Sequence, residues 1–185
     1  MQKWMIAGGI VLLVLLWIGG IYNGMVGKDQ NVAQSWAQIE NQLQRRYDLI
    51  PNLVNTVKGY AKYEKSVFEA VTKARSAWAG AKSGSEKVTA ANQLEGAIGR
   101  LIAVAESYPQ LKASTNFIAL QDELAGTENR IAVARMRYNE AVQDYNKTAK
   151  RIPTVLFVKM FGFDGQKEFF KVKDEAAKQA PKVNF

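Results

Sequence analysis

The feature that most constrains this chain is a long apolar stripe between Val32 and Trp78. Its apolar residues recur at alternating intervals of three and four, the spacing of one face of an amphipathic helix. The positions are Val32, Trp36, Ile39, Leu43, Tyr47, Ile50, Val54, Val57, Ala61, Val67, Val71, Ala74 and Trp78. Other helices must cover such a stripe. Pro51 lies within it, and because proline lacks an amide hydrogen we expect a kink there.

Two later stretches carry similar stripes. The first follows a turn of small residues, begins at Ser85 and ends at Tyr108-Pro109. It contains Gly96 and Gly99, and because glycine in a helix costs about 1 kcal/mol relative to alanine, we expect close packing against a neighbouring helix there. The second stretch ends near Ile152-Pro153, and its stripe is Phe117, Leu120, Leu124, Thr127, Ile131, Ala134, Tyr138, Ala141, Tyr145 and Thr148. Three helices with short connections indicate an all-α, antiparallel up-down-up bundle.

The N-terminal segment has the composition of a membrane-spanning helix. No charged residue lies between Lys3 and Lys28, and about 20 apolar residues cross the hydrocarbon core of a bilayer. The anchor residues that we single out are Trp4, Ile10, Leu13, Leu16, Trp17 and Tyr22. The stretch is long for a signal peptide and is not followed by an A-x-A cleavage site. We therefore predict an uncleaved signal anchor in residues 1–27.

Three glycines follow the apolar run. Gly20, Gly24 and Gly27 are four and three residues apart, so they could let two such helices approach closely. A flexible joint after the membrane is an equally good interpretation. The Lys and Arg residues that flank the span favour a cytoplasmic N-terminus and an exported domain.

Composition excludes several kinds of site. The chain has no cysteine and no histidine, which excludes disulfides, thiolate nucleophiles, zinc–cysteine sites and histidine general bases. No clustered acidic loop of the calcium-binding type occurs. We expect no enzymatic activity, metal or cofactor. The formal net charge of +8 favours anionic partners such as lipid headgroups, whereas tyrosines spaced along helices do not form a base-stacking platform, so we expect no nucleic-acid partner.

Residues 154–185 differ in character from the bundle. The run from Thr154 to Phe163 is very apolar, and nine Lys/Arg but only four Asp/Glu lie between Lys147 and the C-terminus. This segment could lie at a membrane interface, or its phenylalanines could cover an open end of the bundle. We expect a short helix packed on the bundle, followed by an extended tail at 180–185.

A dense charged motif, Arg45-Arg46-Tyr47-Asp48, precedes Pro51. It could be a binding site at a kinked helix, or it could form ion pairs with a later helix. Charged residues available for pairing are Asp122, Glu123, Glu128, Arg130 and Arg135. The bundle and motif residues that we single out are Trp36, Arg45, Arg46, Tyr47, Asp48, Pro51, Glu123, Leu124, Arg130 and Tyr138.

These motifs together resemble the LemA family of bacterial membrane proteins. The matching runs are 35–40, 42–54, 56–61, 71–75, 108–113, 120–124, 127–131, 134–135, 138–139, 145–146 and 152–153, together with Val142. Many relatives carry a histidine where this chain has Tyr63-Glu64. The resemblance implies an N-terminal anchor, an all-α antiparallel bundle and no known enzymatic activity. One branch of the family is similar to proteins that shape an organelle membrane in magnetotactic bacteria, and some relatives are encoded near membrane proteases.

Two functions are consistent with these features. The first is a membrane-anchored scaffold that forms a homo-oligomer and organises or shapes the lipid bilayer. The second is an adaptor that recruits a membrane-protein partner, such as a protease. Self-association is expected because the later helices are too short to cover the whole stripe, which would leave apolar surface near Val32–Ile39 and Val67–Trp78.

The expected location is the bacterial inner membrane. We predict a single-pass protein with its N-terminus in the cytoplasm and its C-terminal domain exported. The predicted domains are the anchor at 1–27, the bundle at 28–153 and the apolar, basic segment at 154–185.

Overall fold

The fold is all-α, as the periodicity predicts. The computed structural model describes residues 2–61 and 63–171, and no β-strand occurs in them. The helices are α1 (Gln2–Tyr60), α2 (Lys65–Gly80), α3 (Gly84–Glu106), α4 (Pro109–Lys112), α5 (Thr115–Ala149) and α6 (Thr154–Val158). The fold class is confirmed, including the long N-terminal apolar helix and the short helix α6. The predicted tail at 180–185 lies outside the described residues.

The chain divides into two compact units, and α1 and α5 each contribute to both. The first unit consists of residues 2–40 and Ala132–Phe169, and the second is built on Asn41–Ile131. The domain boundaries at residues 27 and 153 stay predictions. α1 passes residue 27 without a break in its helix.

In the first unit, α1 and α5 run antiparallel. Lys28 forms an ion pair with Asp144, while Trp36, further along α1, meets Tyr138, which comes earlier on α5. Their core includes side chains from both helices and from α6. Its buried members are Met25, Val32, Ala141, Val142, Tyr145, Ala149 and Val158.

In the second unit, the apolar stripes of α1, α2, α3 and α5 share one core. Its buried members are Ile50, Leu53, Val57, Ala61, Phe68, Val71, Ala74, Leu94, Ala97, Ile98, Leu101, Ala105, Leu111, Phe117 and Leu124. α3 begins at a capping box, in which the Ser83 hydroxyl accepts from the Glu86 amide and the Glu86 carboxylate accepts from the Ser83 amide. This satisfies amide donors that have no partner within the helix.

The stripe from Val32 to Trp78 is not one helix. α1 ends at Tyr60 and α2 begins at Lys65. The chain turns between them, where the Lys65 amide donates to the Tyr63 carbonyl at 2.9 Å. The polar residue Glu64 falls at this break. Pro51, by contrast, lies inside α1 and does not end it.

The expected close packing at Gly96 and Gly99 is wrong. A Cβ atom built at either position would meet no atom within 4 Å among the described residues. Both glycines lie on the exposed face of α3. Packing inside the chain therefore does not explain their presence in this helix.

The expectation of uncovered stripe surface is also wrong. Val32, Ile39, Val71 and Trp78 are each at most 8% exposed. α2 forms a separate helix that packs against α3, so the stripe is shared among more helices than the sequence suggested. The chain itself covers the surface that was expected to bind other copies.

Candidate functional site

α1 begins with a candidate membrane span. Within residues 2–61 and 63–171, α1 is the one helix long and apolar enough to cross a membrane; its most apolar window has a mean hydropathy of 2.3, and none of that window is buried. All six predicted anchor side chains are exposed, namely Trp4, Ile10, Leu13, Leu16, Trp17 and Tyr22. Exposed apolar side chains along a helix of this length indicate association with a membrane.

The span continues into the first unit without a joint. Residues 20–30 are helical, and Met25 is buried in the core of that unit. The flexible-joint interpretation of Gly20, Gly24 and Gly27 is therefore wrong. These glycines lie on free helix surface, since a Cβ atom at any of them would meet nothing within 4 Å among the described residues.

Aromatic and charged contacts surround the end of the span. The Tyr22 ring meets the Phe161 ring edge-on, with centroids 5.2 Å apart, and lies 5.7 Å from that of Phe163. One to two turns further along α1, Lys28 forms an ion pair with Asp144. The next residue, Asp29, forms an ion pair with Lys167 at 3.0 Å. These contacts fasten α1 to the C-terminal segment.

Polar side chains of α5 hold residues 164–168, which we call the clasp. The Asn146 amide nitrogen donates to the Lys167 carbonyl at 3.0 Å, and its oxygen accepts from the Lys167 amide at 2.7 Å. The hydroxyls of Tyr145 and Tyr138 donate to the carbonyls of Asp164 and Glu168. The clasp lacks regular secondary structure, so these bonds replace the backbone partners that a helix would supply.

Lys167 is the charged centre of the clasp. Its ammonium contacts the carboxylates of Asp29 and Asp164 and lies 5.4 Å from the centroid of the Tyr145 ring. Burial lowers the pKa of Lys167, but the hydrogen bonds and charges of the two aspartates outweigh burial, and the pKa is raised above its ordinary value. Burial also raises the pKa values of Tyr145 and Tyr138. Sequence reasoning missed this cluster, because its members are too far apart in the chain to form a motif.

In the second unit, the charged motif pairs with α5. The Arg45 Nε donates to the Glu123 carboxylate at 3.0 Å, and Arg130 approaches the same carboxylate at 3.7 Å. Arg46 pairs with Glu128. Only 11% of the Arg46 side chain is exposed, against 56% for Arg45. Arg46 is therefore an ionic contact within the helix bundle, whereas Arg45 lies at its surface.

The remaining motif residues have partners on other elements or on α1 itself. Tyr47 is half-buried under the guanidinium of Arg75, whose Cζ lies 4.7 Å from the ring centroid. Asp48 accepts from the Gln44 amide at 2.9 Å. Within the motif, Arg45 and Arg46 thus form the ion pairs between helices that one interpretation of the sequence expected. In the described part of the chain, no group of acidic residues is placed to hold a metal ion.

A groove of about 640 Å³ opens beside α2. Phe68 lines it together with three basic residues, Lys58, Lys65 and Lys73, and one acidic residue, Glu69. Lys58 lies over the Phe68 ring at 5.3 Å. With three lysines against one glutamate, the lining is net positive and can attract an acidic group. Sequence reasoning missed the groove, because residues of two separate helices, α1 and α2, form its lining.

Comparisons with known proteins give similar sequences and a matching family model. Magnetosome proteins MamQ 2 and MamQ 1 of Paramagnetospirillum magneticum are each 27% identical to this chain, and MamQ of Magnetospirillum gryphiswaldense is 25% identical. Each alignment covers 82% of this chain but 65% of the relative, so the chain spans just under two thirds of the length of these curated proteins. The model of the LemA family matches residues 35–185, which include the charged motif, and the chain belongs to the LemA family.

Proposed function

We propose that this protein is a membrane-anchored, non-enzymatic helical scaffold that associates with copies of itself on the bilayer. The observation that carries the proposal is the unbroken course of α1 from the exposed apolar span into the buried core of the first unit. Each copy is thereby held on one surface, with the part of α1 in the first unit continuous with the span. Confinement to a surface raises the effective concentration of the copies.

Self-association requires a surface that the chain does not cover. The buried stripe is not available, so we assign the contact to the span. Gly20, Gly24 and Gly27 share one face and have no neighbour within 4 Å among the described residues. Small residues at this spacing allow the backbones of two membrane helices to approach closely.

Disulfide cross-linking in native membranes tests this proposal. The chain has no cysteine, so single cysteines at the exposed positions Gln38 and Lys65 report only on contacts between copies. We expect disulfide-linked dimers, and we expect Gly20→Leu combined with Gly24→Leu to reduce them. Gly19→Leu is the control, because Gly19 lies about 100° around the helix from Gly20 and so outside the proposed contact face. A chain that stays monomeric at every expression level would refute the scaffold.

The proposed topology has a cytoplasmic N-terminus and an exported C-terminal domain in the bacterial inner membrane. The test uses cells whose outer membrane is permeabilised and whose inner membrane is intact. A membrane-impermeant maleimide should label the Lys65→Cys variant and should not label the Gln2→Cys variant. The reversed labelling pattern would show the opposite orientation.

The adaptor is the second candidate, and the lysine-lined groove favours it. A groove of this size with Phe68 in its wall suits an acidic, partly apolar segment of a membrane-protein partner. Photo-cross-linking from Thr72 would capture such a partner. A monomeric chain that captures one defined membrane protein would replace the scaffold with the adaptor.

A further inference from the structure

The segment that contains α6 presents an apolar face away from its own core. Thr154 and Val158 are buried. Phe157 and Phe161 are half-buried and stack with their centroids 5.8 Å apart. The Phe161 amide donates to the Phe157 carbonyl at 2.9 Å, so the helical course continues beyond the end of α6. Phe157 and Phe161 therefore turn partly toward the protein, and the covering of an open end of the bundle by the phenylalanines stays a prediction.

The aliphatic side chains of this segment are not covered. Ile152 is 84% exposed, Leu156 is 70% exposed and Met160 is 66% exposed, and Val155 lies beside them at 43%. Leu156 lies in α6 and Met160 one turn after it, so the two share one face of this helical stretch. Ile152 lies outside the helix, in the turn before Pro153. Large exposed apolar groups that share a face usually mark an interaction site.

The charged residues next to these side chains in the sequence are all positive. Residues 147–160 contain Lys147, Lys150, Arg151 and Lys159 and no Asp or Glu. All four basic residues are exposed. Apolar side chains flanked by basic ones are typical of segments that lie in the headgroup region of an anionic bilayer.

The position of the segment fits a membrane surface. Tyr22, which contacts Phe161, closes the apolar run that begins after Lys3. Tyrosine favours the boundary between hydrocarbon and headgroups. The exposed aliphatic residues therefore lie beside the point where the span leaves the hydrocarbon.

We propose that Ile152, Val155, Leu156 and Met160, with Arg151 and Lys159, form an interfacial patch that docks into the headgroup region of the anionic leaflet around the span. This inference rests on the proposed membrane anchoring of α1. It gives the protein a second lipid contact, which would fix the rotation of the first unit about the span.

Depth-dependent quenching tests the interfacial patch in the full-length chain. Single cysteines at Leu156 and Leu13 are labelled with an environment-sensitive fluorophore, and the protein is reconstituted into vesicles of phosphatidylcholine and phosphatidylglycerol. Lipids with a doxyl quencher near the headgroup should quench the probe at Leu156. Lipids with the quencher deep in the acyl chain should quench the probe at Leu13.

Met136 supplies the matched control. It is exposed and apolar and belongs to the same unit. It lies close to Tyr138, which meets Trp36, about 20 Å along α1 from Tyr22. A probe at Met136 should be quenched by neither lipid.

The outcomes separate the patch from the anchor. Quenching at Leu13 without quenching at Leu156 would overturn the patch and leave the anchor intact. A probe at Leu156 that is shielded from water but not quenched by lipid would mean that protein covers the patch, which also overturns it. Absence of quenching at both positions would overturn the anchor and, with it, the patch.

Charge variants test the selection of anionic lipid. Combined Arg151→Gln and Lys159→Gln should lower shallow quenching at Leu156 by about twofold or more in vesicles with phosphatidylglycerol, because each basic side chain near the surface contributes to docking. The same variant should behave like the parent in vesicles of phosphatidylcholine alone. Equal quenching of both chains in both vesicles would refute a role for these charges.

Discussion

At the scale of single residues, burial decides how much each ion pair of the charged motif matters. Arg45 and Arg46 are neighbours in sequence and both pair with glutamates of α5. The Arg46 side chain is mostly removed from water, while that of Arg45 is more than half exposed. Exposed ion pairs contribute little to stability because solvent screens them, whereas loss of a partner leaves a buried charge without compensation.

We therefore expect Glu128→Ala to destabilise the protein more than Glu123→Ala. Removal of Glu128 should lower the free energy of unfolding by about 1–3 kcal/mol, since it deprives the Arg46 guanidinium of its partner. Removal of Glu123 should cost at most about 1 kcal/mol. Denaturant unfolding of the full chain in detergent measures both. Equal losses would contradict the assignment of Arg46 as the buried contact.

Leu124 tests the apolar core at the same scale. It is 4% exposed and belongs to the core of the second unit. Leu124→Ala should cost about 2–5 kcal/mol, because it removes buried methyl groups and leaves a cavity. Ile118→Ala, at an exposed position of the same helix, should cost much less. An unchanged unfolding transition for Leu124→Ala would contradict the bundle core.

These residues show what the sequence could predict. The stripe spacing identified Leu124 and its neighbours as core, since side chains three and four apart share a helix face. It also limited the partners of Arg45 and Arg46 to a few charged residues of α5. The choice of Glu123 and Glu128 depends on the register between helices about 80 residues apart, which no local pattern contains.

At the scale of elements, α3 carries two glycines, Gly96 and Gly99, at positions where a larger side chain would meet no neighbour among the described residues. Gly96→Ala and Gly99→Ala should each raise the free energy of unfolding by about 0.5–1 kcal/mol, since alanine favours a helix and meets no neighbour. Gly162, with a φ of +77°, is the contrasting position. Gly162→Ala should destabilise the protein, because left-handed backbone is unfavourable for alanine. Thermal unfolding measures all three, and a loss at Gly96 would contradict its open surroundings.

The clasp predicts a response to alkaline pH. The folded-state pKa values of Lys167, Tyr138 and Tyr145 are all raised above their ordinary values, which lie near 10.5 for lysine and 10.0 for tyrosine. Groups with raised pKa values stabilise the fold below their unfolded values and lose that contribution as the pH rises further. The melting temperature should therefore fall progressively as the pH rises above about 10.

Lys167→Arg separates this effect from general alkaline unfolding. Arginine keeps the positive charge between Asp29 and Asp164 but does not titrate in this range. The variant should show a shallower loss of melting temperature above pH 10 than the parent. Identical pH profiles would mean that the titration of Lys167 contributes nothing to stability.

The elements also show where the sequence was insufficient. The break between α1 and α2 leaves the spacing of the stripe nearly unchanged, so periodicity alone could not reveal it. The clasp has no periodicity, because its backbone is held by side chains of Tyr138, Tyr145 and Asn146. Such bonds between distant parts of a chain leave no local sequence pattern.

At the scale of the whole molecule, membrane retention should depend on the span. The full chain should resist carbonate extraction, and its mature form should keep residues 4–21. Leu12→Arg combined with Leu13→Arg should shift it to the soluble fraction, because a charged residue at the centre of a span costs about 3 kcal/mol. Fractionation and intact mass measure both. A mature chain that starts after Gly24 would replace the anchor with a signal peptide.

Because α1 runs unbroken from the span into the first unit, a tilt of the span would tilt the first unit with it. A span responds to a thinner bilayer by tilting. Residues 23–40 extend about 27 Å beyond the span, so a tilt of about 20° would carry residue 40 sideways by on the order of 10 Å. Under the proposed anchoring, bilayer thickness would set the orientation of the first unit, with no ligand and no change of fold.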